Sequence, residues 1–329
     1  MKIRIGTRGS ALALAQSELA KNLILEKFPG AEVEICVIRT GGDKDHVRSL
    51  VSFGGQGIFV KEIEDALLKG EIDLAVHSLK DVPDSMDQRL ELSGFLKRED
   101  PRDVLVSNGI PFLKLRSGAV VGTGSPRRVL QLGKMRPDVR FAHLRGNLPS
   151  RIEKVKRGEL DAIVLGAAGL NRLKISDAIS DAFDVSDVTP AICQGIVAIQ
   201  SLKENAFARS VAEKISDAET VLAARAERRW MEILGGGCRV PMGAVLEPKG
   251  SEYLFTAYLA DAQNENALRT SKTFSRGELQ NFEALEAFAK IFAEKCREKK
   301  IPLPSETSGT EAIASFWDRE HGCSSSTPK

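Results

Sequence analysis

Two short signatures each occur twice in this chain of 329 residues, and they constrain its fold more than any other feature. Ile5-Gly6-Thr7-Arg8-Gly9-Ser10 returns as Val121-Gly122-Thr123-Gly124-Ser125, and Lys69-Gly70-Glu71-Ile72-Asp73 returns as Arg157-Gly158-Glu159-Leu160-Asp161. In the first pair an apolar alternation runs into a glycine turn and then a helical periodicity, the pattern of a strand feeding a helix. The recurrence predicts two lobes of one α/β plan, the second starting near Asp103 after the polar stretch Lys97-Arg98-Glu99-Asp100-Pro101. The spacing of the two pairs is unequal, and strand-then-turn signals also recur by chance in α/β proteins, so that alternative stays open.

The rest of the chain fits around this plan. Ser10 precedes a helical pattern through Leu12, Ala15, Leu19 and Leu23, after which Val33, Ile35 and Val37 alternate as a strand. A glycine-rich stretch from Gly41 to Gly57 has the composition of a mobile cover ahead of a helix at about 59–69 and a strand at 72–76. After about residue 217 a long helix reaches Leu234 and stops at three glycines. Strands at about 239–247, 252–260 and 267–275 and a helix at 278–299 then predict a third, smaller α+β domain. The segment 301–329 reads as a loosely ordered tail, with Phe316 and Trp317 able to anchor it.

Composition excludes several function classes. With 47 basic and 45 acidic side chains the net charge is +2, which gives no bulk field for nucleic acid or an anionic membrane. No apolar run is long enough to span a bilayer, and residues 1–5 enter a strand pattern without a signal-peptide core, so a cytoplasmic protein is expected. Cys36, Cys193, Cys238, Cys296 and Cys323 are scattered and odd in number, and His46, His77, His143 and His321 are equally dispersed. Neither a disulfide framework nor a metal site is expected. GTGSPR at 122–127 lacks the last glycine of a dinucleotide fingerprint, and no P-loop occurs, which ranks a nucleotide-dependent transferase last.

Several residues carry candidate chemistry. Ser125 and Pro126 have the character of an N-cap and a first helical residue, so Arg127 and Arg128 fall in a first turn, where the helix dipole disfavours cations unless an anion is present. The alternative is a solvated surface pair. Arg8, Arg145, Arg151 and Arg172 also follow strand ends, where open α/β sheets place ligands, and arginine forks match carboxylates. In Val76-His77-Ser78-Leu79-Lys80-Asp81-Val82-Pro83 a lysine and a carboxylate leave a strand together. Asp81 there can stabilise a developing cation or move a proton, or can be an exposed turn residue. Cys238 follows Gly235-Gly236-Gly237, which exposes its thiol, whereas Cys36 and Cys296 read as small buried hydrophobes and His77 as a packed polar residue.

Taken in order, GTRGSALAL at 6–14, HSLKDVP at 77–83, REDPRD at 98–103, SPRR at 125–128, LRGN at 144–147 and GGGCRVP at 235–241 resemble the motif series of the porphobilinogen deaminase (hydroxymethylbilane synthase) family. The resemblance spans about residues 3–247. It implies two periplasmic-binding-protein-like α/β lobes around a cleft plus a smaller α+β C-terminal domain, divided as 1–98 with 196–213, 103–190, and 217–300. It implies a transferase that joins four porphobilinogen molecules head to tail, releases ammonia each time, and hydrolyses the chain to hydroxymethylbilane; a monomer would suit such a hinged cleft. By the same resemblance Asp81 is the catalytic carboxylate with Lys80 beside it, and Cys238 holds a dipyrromethane cofactor through a thioether. Arg8, Arg127, Arg128, Arg145, Arg151 and Arg172 match the binding arginines, and Ser10, Ser78, Thr123, Ser125 and Gln194 match further contact positions. Three departures stand out: Gln56 where lysine is common, Cys193 where glycine is usual, and a tail after 301 without an evident counterpart. A non-enzymatic two-lobed binding protein is the rival, opposed by the exposed Cys238.

Overall fold

The computed structural model describes residues 1–38, 60–236, 240–262, 266–306 and 316. The first sheet contains Lys2–Thr7 (β1), Glu32–Val37 (β2), Leu74–Ser78 (β3), Leu90–Leu96 (β4) and, from far downstream, Val197–Leu202 (β10), in the order β2-β1-β3-β10-β4. The second contains Asp103–Val106 (β5), Val120–Thr123 (β6), Arg140–His143 (β7), Ala162–Gly166 (β8) and Asp181–Ala182 (β9), in the order β7-β6-β8-β5-β9. The two orders describe one plan. In each sheet three parallel strands come first, then an antiparallel strand (β10 or β5), then an edge. The repeated Lys/Arg-Gly-Glu-Ile/Leu-Asp segment has a physical reason. Asp73 accepts from the Arg4 backbone N–H at 2.8 Å, and Asp161 accepts from the Val120 backbone N–H at 2.8 Å, so each pins the middle one of its lobe's three parallel strands near its start.

Helices follow the strands. Ala11–Lys27 (α1) starts at Ser10, whose Oγ accepts from the Ala13 N–H, and buries Ala20 and Ile24 against Ile3, Ile5 and Leu74. Lys61–Leu68 (α2), Pro126–Met135 (α3), Leu148–Lys156 (α4) and Ala167–Arg172 (α5) complete the lobes, and Ala206–Lys214 (α6) packs on β4 and β10 of the first. Ala218–Leu234 (α7) ends where Gly235 takes φ +69°, the left-handed cap that glycine allows. Met242–Lys249 (β11), Glu252–Ala260 (β12) and Ala267–Ser275 (β13) form a three-stranded antiparallel sheet, and Glu283–Glu298 (α8) covers it with α7. Trp230 of α7 is fully buried among Phe255, Phe288 and Phe292.

The third core is continuous with the first lobe, since Leu79, Val82, Phe95, Ile192 and Ile196 belong to the same apolar cluster as Trp230. Packed chain also continues past residue 300, because Ile301 and Leu303 are buried in that cluster, while Phe316 is buried with Phe112, Phe141 and Phe183 in the second lobe. Of the described tail residues, Ile301, Leu303, Pro304 and Phe316 are buried, held by their apolar side chains, while Ser305 and Glu306 are exposed.

Candidate active site

The HSLKDVP motif is built by alternation of inward and outward residues. After β3 the chain makes a 3-10 turn over Leu79–Asp81, in which Leu79 and Val82 enter the third-domain core and Asp81 stays exposed. The turn is fixed on both sides: the Leu79 N–H donates to Ile196 O at 3.0 Å, and Arg228 Nη2 of α7 donates to Pro83 O at 3.1 Å. His77 is a packed residue, as expected, with its Nε2 3.1 Å from Gln200 Oε1. Burial and the charge of Arg8 push its imidazole down to about 4 although the Gln200 bond opposes this.

Opposite stands a group of arginines. Asn147 caps α4 by accepting from the Ser150 N–H, and Arg151 on that helix donates to Gly146 O at 2.7 Å. Burial, then the like charges of Arg128 and Arg145, push the Arg151 guanidinium down from its ordinary value, and the carboxylate of Asp81 pulls it back up. Lys80 is likewise pushed down, first by burial and also by Arg128 and Arg127, while Asp81 and Asp103 oppose. Asp81 and Lys80 of one lobe and Arg127, Arg128, Arg145 and Arg151 of the other thus lie within each other's fields. Cations outnumber carboxylates there, which suits a ligand bearing several acids.

Arg127 and Arg128 sit in the first turn of α3 with Pro126 at its start, as expected, although the Ser125 side chain makes no capping bond. Both are buried, and the anion that the sequence demanded is internal: Asp103. Its Oδ2 accepts from Arg127 Nη1 at 2.8 Å and its Oδ1 from Arg128 Nη2 at 2.7 Å, with no exposure of the carboxylate. Burial alone would raise this carboxyl; the two guanidiniums hold it well below the usual range. Gln194 Nε2 adds a bond to the same Oδ1 at 2.8 Å, and its Oε1 accepts from Lys80 Nζ at 3.3 Å.

Gln194 reaches both lobes because the crossover that carries it is bent. Cys193 has φ +59° and Gly195 φ +88°, and a Cβ at 195 would lie 2.3 Å from Glu99 O. A cysteine at such a φ is uncommon, and its backbone N–H is held by Glu227 Oε2 at 2.6 Å. Glu227 of α7, fully buried, also accepts from Arg98 Nη1 at 2.5 Å and the Leu246 N–H at 2.9 Å.

Other expected contact residues have local partners. Ser10 caps α1, Ser78 shares hydrogen bonds with Gln16, and the Thr123 Oγ1 accepts from the Ser125 N–H at 3.2 Å. Arg172 donates to Gly195 O at 2.6 Å near Glu99, and Arg8 follows β1 close to His77. Cys36, expected to be buried, is only partly so because β2 is an edge strand, whereas Cys296 is sealed and its thiol is pushed up to about 12 by burial. Cys238, Gln56 and the glycine stretch lie outside the described residues. Sequence reasoning gave no role to Asp103 or Glu227. The available signal was a carboxylate opening the fully buried strand Asp103–Val106, and another within the buried face of a helix.

Comparison with known proteins is consistent with this chemistry. A family model described as "Porphobilinogen deaminase, dipyromethane cofactor binding domain" matches residues 3–210. Porphobilinogen deaminase of Geobacter sulfurreducens is 41% identical over 270 residues, covering 82% of this chain and 85% of that protein. Porphobilinogen deaminase of Geotalea uraniireducens is 39% identical over 321 residues, covering 97% of this chain and 96% of that one. The latter match takes in most of the segment after residue 301, which corrects the expectation that this segment has no counterpart. On these matches the chain belongs to the porphobilinogen deaminase family.

Proposed function

We propose that the chain is a hydroxymethylbilane synthase in which Asp81 is the catalytic carboxylate, Lys80 its neighbour in the site, and Cys238 the attachment point of a dipyrromethane. Arg8, Arg127, Arg128, Arg145, Arg151 and Arg172 hold the acid groups of the growing pyrrole chain, with Ser10, Ser78, Thr123, Ser125 and Gln194 as further contacts. The observation that carries this reading is the exposed Asp81 carboxylate within the field of Arg151, in a group of cations drawn from both lobes. The donor set fits the cofactor class, because pyrroles bearing acetate and propionate need guanidinium forks in fixed register.

When bound, the dipyrromethane supplies the pyrrole end to which each porphobilinogen is joined. The residues do the rest. Loss of ammonia from the aminomethyl carbon of porphobilinogen breaks a C–N bond and leaves an electron-poor azafulvenium. Asp81 accepts a hydrogen bond from its pyrrole N–H and sets a fixed negative charge where positive charge develops. Formation of the C–C bond displaces a ring proton, for which the same carboxylate is the general base. Four rounds and a final hydrolysis release hydroxymethylbilane.

The reading extends to a monomer in the cytosol, with porphobilinogen as substrate and no nucleic-acid or membrane partner. A net charge of +2 supports it, as does the finding that no described helix is long and apolar enough to cross a membrane. It divides the chain as 1–98 with 196–213, 103–190, and 217–300, supported by the return of β10 to the first sheet.

Asp81→Asn tests the central residue. Because Asp81 is exposed, the variant should melt close to wild type while kcat for porphobilinogen falls by roughly 10²–10³, the scale of removing one preorganised charge stabiliser. Near-normal turnover would refute the assignment.

A further inference from the structure

In REDPRD at 98–103, Arg98 pairs with Glu227, Arg102 with Asp100, and Asp103 with two arginines, and this last residue has work beyond stability. We infer that Asp103 is a positioning residue for the reaction: one carboxylate, sealed at the start of β5, sets the orientation of the two adjacent guanidiniums of α3 that receive substrate acids. The inference rests on the reading that Arg127 and Arg128 bind those acids.

The geometry carries the argument. Arg127 and Arg128 are consecutive, both buried, and both in the first turn of α3, so their charges repel each other and the helix dipole. An arginine left alone there has many rotamers and no preference for one fork direction. Asp103 removes that freedom by giving one oxygen to each guanidinium, Oδ2 to Arg127 and Oδ1 to Arg128. The second contact on each fork is a carbonyl: Thr189 O for Arg127 Nη1 at 2.6 Å and Val164 O for Arg128 Nη1 at 2.9 Å. Each guanidinium is thereby held at two points, which fixes its plane, and a substrate acid would have to pair with the N–H groups outside those contacts.

Asp103 is in turn oriented from the crossover between the lobes. Gln194 donates to its Oδ1 and to Pro101 O at 2.7 Å, and accepts from Lys80, the neighbour of Asp81. A chain of hydrogen bonds therefore runs from Arg127 and Arg128 through Asp103 and Gln194 to Lys80, and ties the acid-binding forks of one lobe to the catalytic turn of the other.

Charge and positioning make opposite predictions, which gives a clean test. Asp103→Asn removes a negative charge from a site that binds anions; on charge alone, KM for porphobilinogen falls or stays the same. If Asp103 positions the forks, KM rises about tenfold or more, or the folded protein fails to hold the covalent primer by intact mass. Asp103→Glu keeps the charge but moves the carboxylate by one methylene, and the same rise is expected. Circular dichroism and melting temperature establish folding, and if the asparagine variant does not fold, the glutamate variant decides by the same readout. A folded variant with wild-type or lower KM overturns the inference, as does failure of both to fold, which would make the carboxylate a stability element alone. Wild-type protein run in parallel separates the two levels. If it leaves porphobilinogen unconsumed, the functional reading itself is wrong; if it turns over while the Asp103 variants match it, only this inference fails.

Discussion

Burial pushes the His77 imidazole down to about 4, so it stays neutral in the fold over a range where an unfolded chain takes up a proton. The sign follows: the contribution to stability is complete above pH 6.5 and is lost as pH falls from about 6.5 to about 4. Between pH 7 and pH 5 the loss is about 2 kcal/mol. His77→Gln should flatten this part of the stability profile, measured by denaturant unfolding at the two pH values; an unchanged slope would mean the imidazole is not the group concerned. His77 and Asp81 were legible because a single motif places one in a strand and the other in the turn after it. The partner of Arg127 and Arg128 was not legible. Two adjacent cations in a first turn announce an anion, but Asp103 lies 24 and 25 positions away on another strand, and no local periodicity records that pairing.

At the scale of elements, the repeated signatures proved to be structural. β1 and β6 occupy the same place in their sheets, α1 and α3 follow them, and Asp73 and Asp161 pin the two strands in the same way. What local pattern could not supply was the meeting of α7, the segment after β4, β11 and the crossover at Glu227. Its carboxylate takes Arg98, the Cys193 N–H and the Leu246 N–H, segments far apart in sequence. Breaking a buried ion pair by neutralising one partner leaves the other charge uncompensated. Glu227→Gln should therefore cost about 3 kcal/mol and lower the melting temperature by several degrees. A change too small to measure in the thermal melt would show that this junction is loosely coupled.

At the scale of the whole molecule, the third domain is clamped to both lobes. Its core merges with the first through Leu79, Val82 and Phe95. Arg269 of β13 reaches the second, donating to Thr189 Oγ1 at 3.1 Å and to Gln131 Oε1 at 2.7 Å, and Gly243 lies so close that a Cβ there would be 2.5 Å from Pro190 O. Those contacts hold β11 and β13 of the third domain against the arginine-bearing lobe. The measurement that tests this account most directly is the intact mass of freshly purified protein, followed by peptide mapping. The account predicts an excess equal to one dipyrromethane, confined to the peptide that contains Cys238, and a further increase by porphobilinogen units when substrate is added. A free, alkylatable Cys238 in protein that nonetheless consumes porphobilinogen would contradict it.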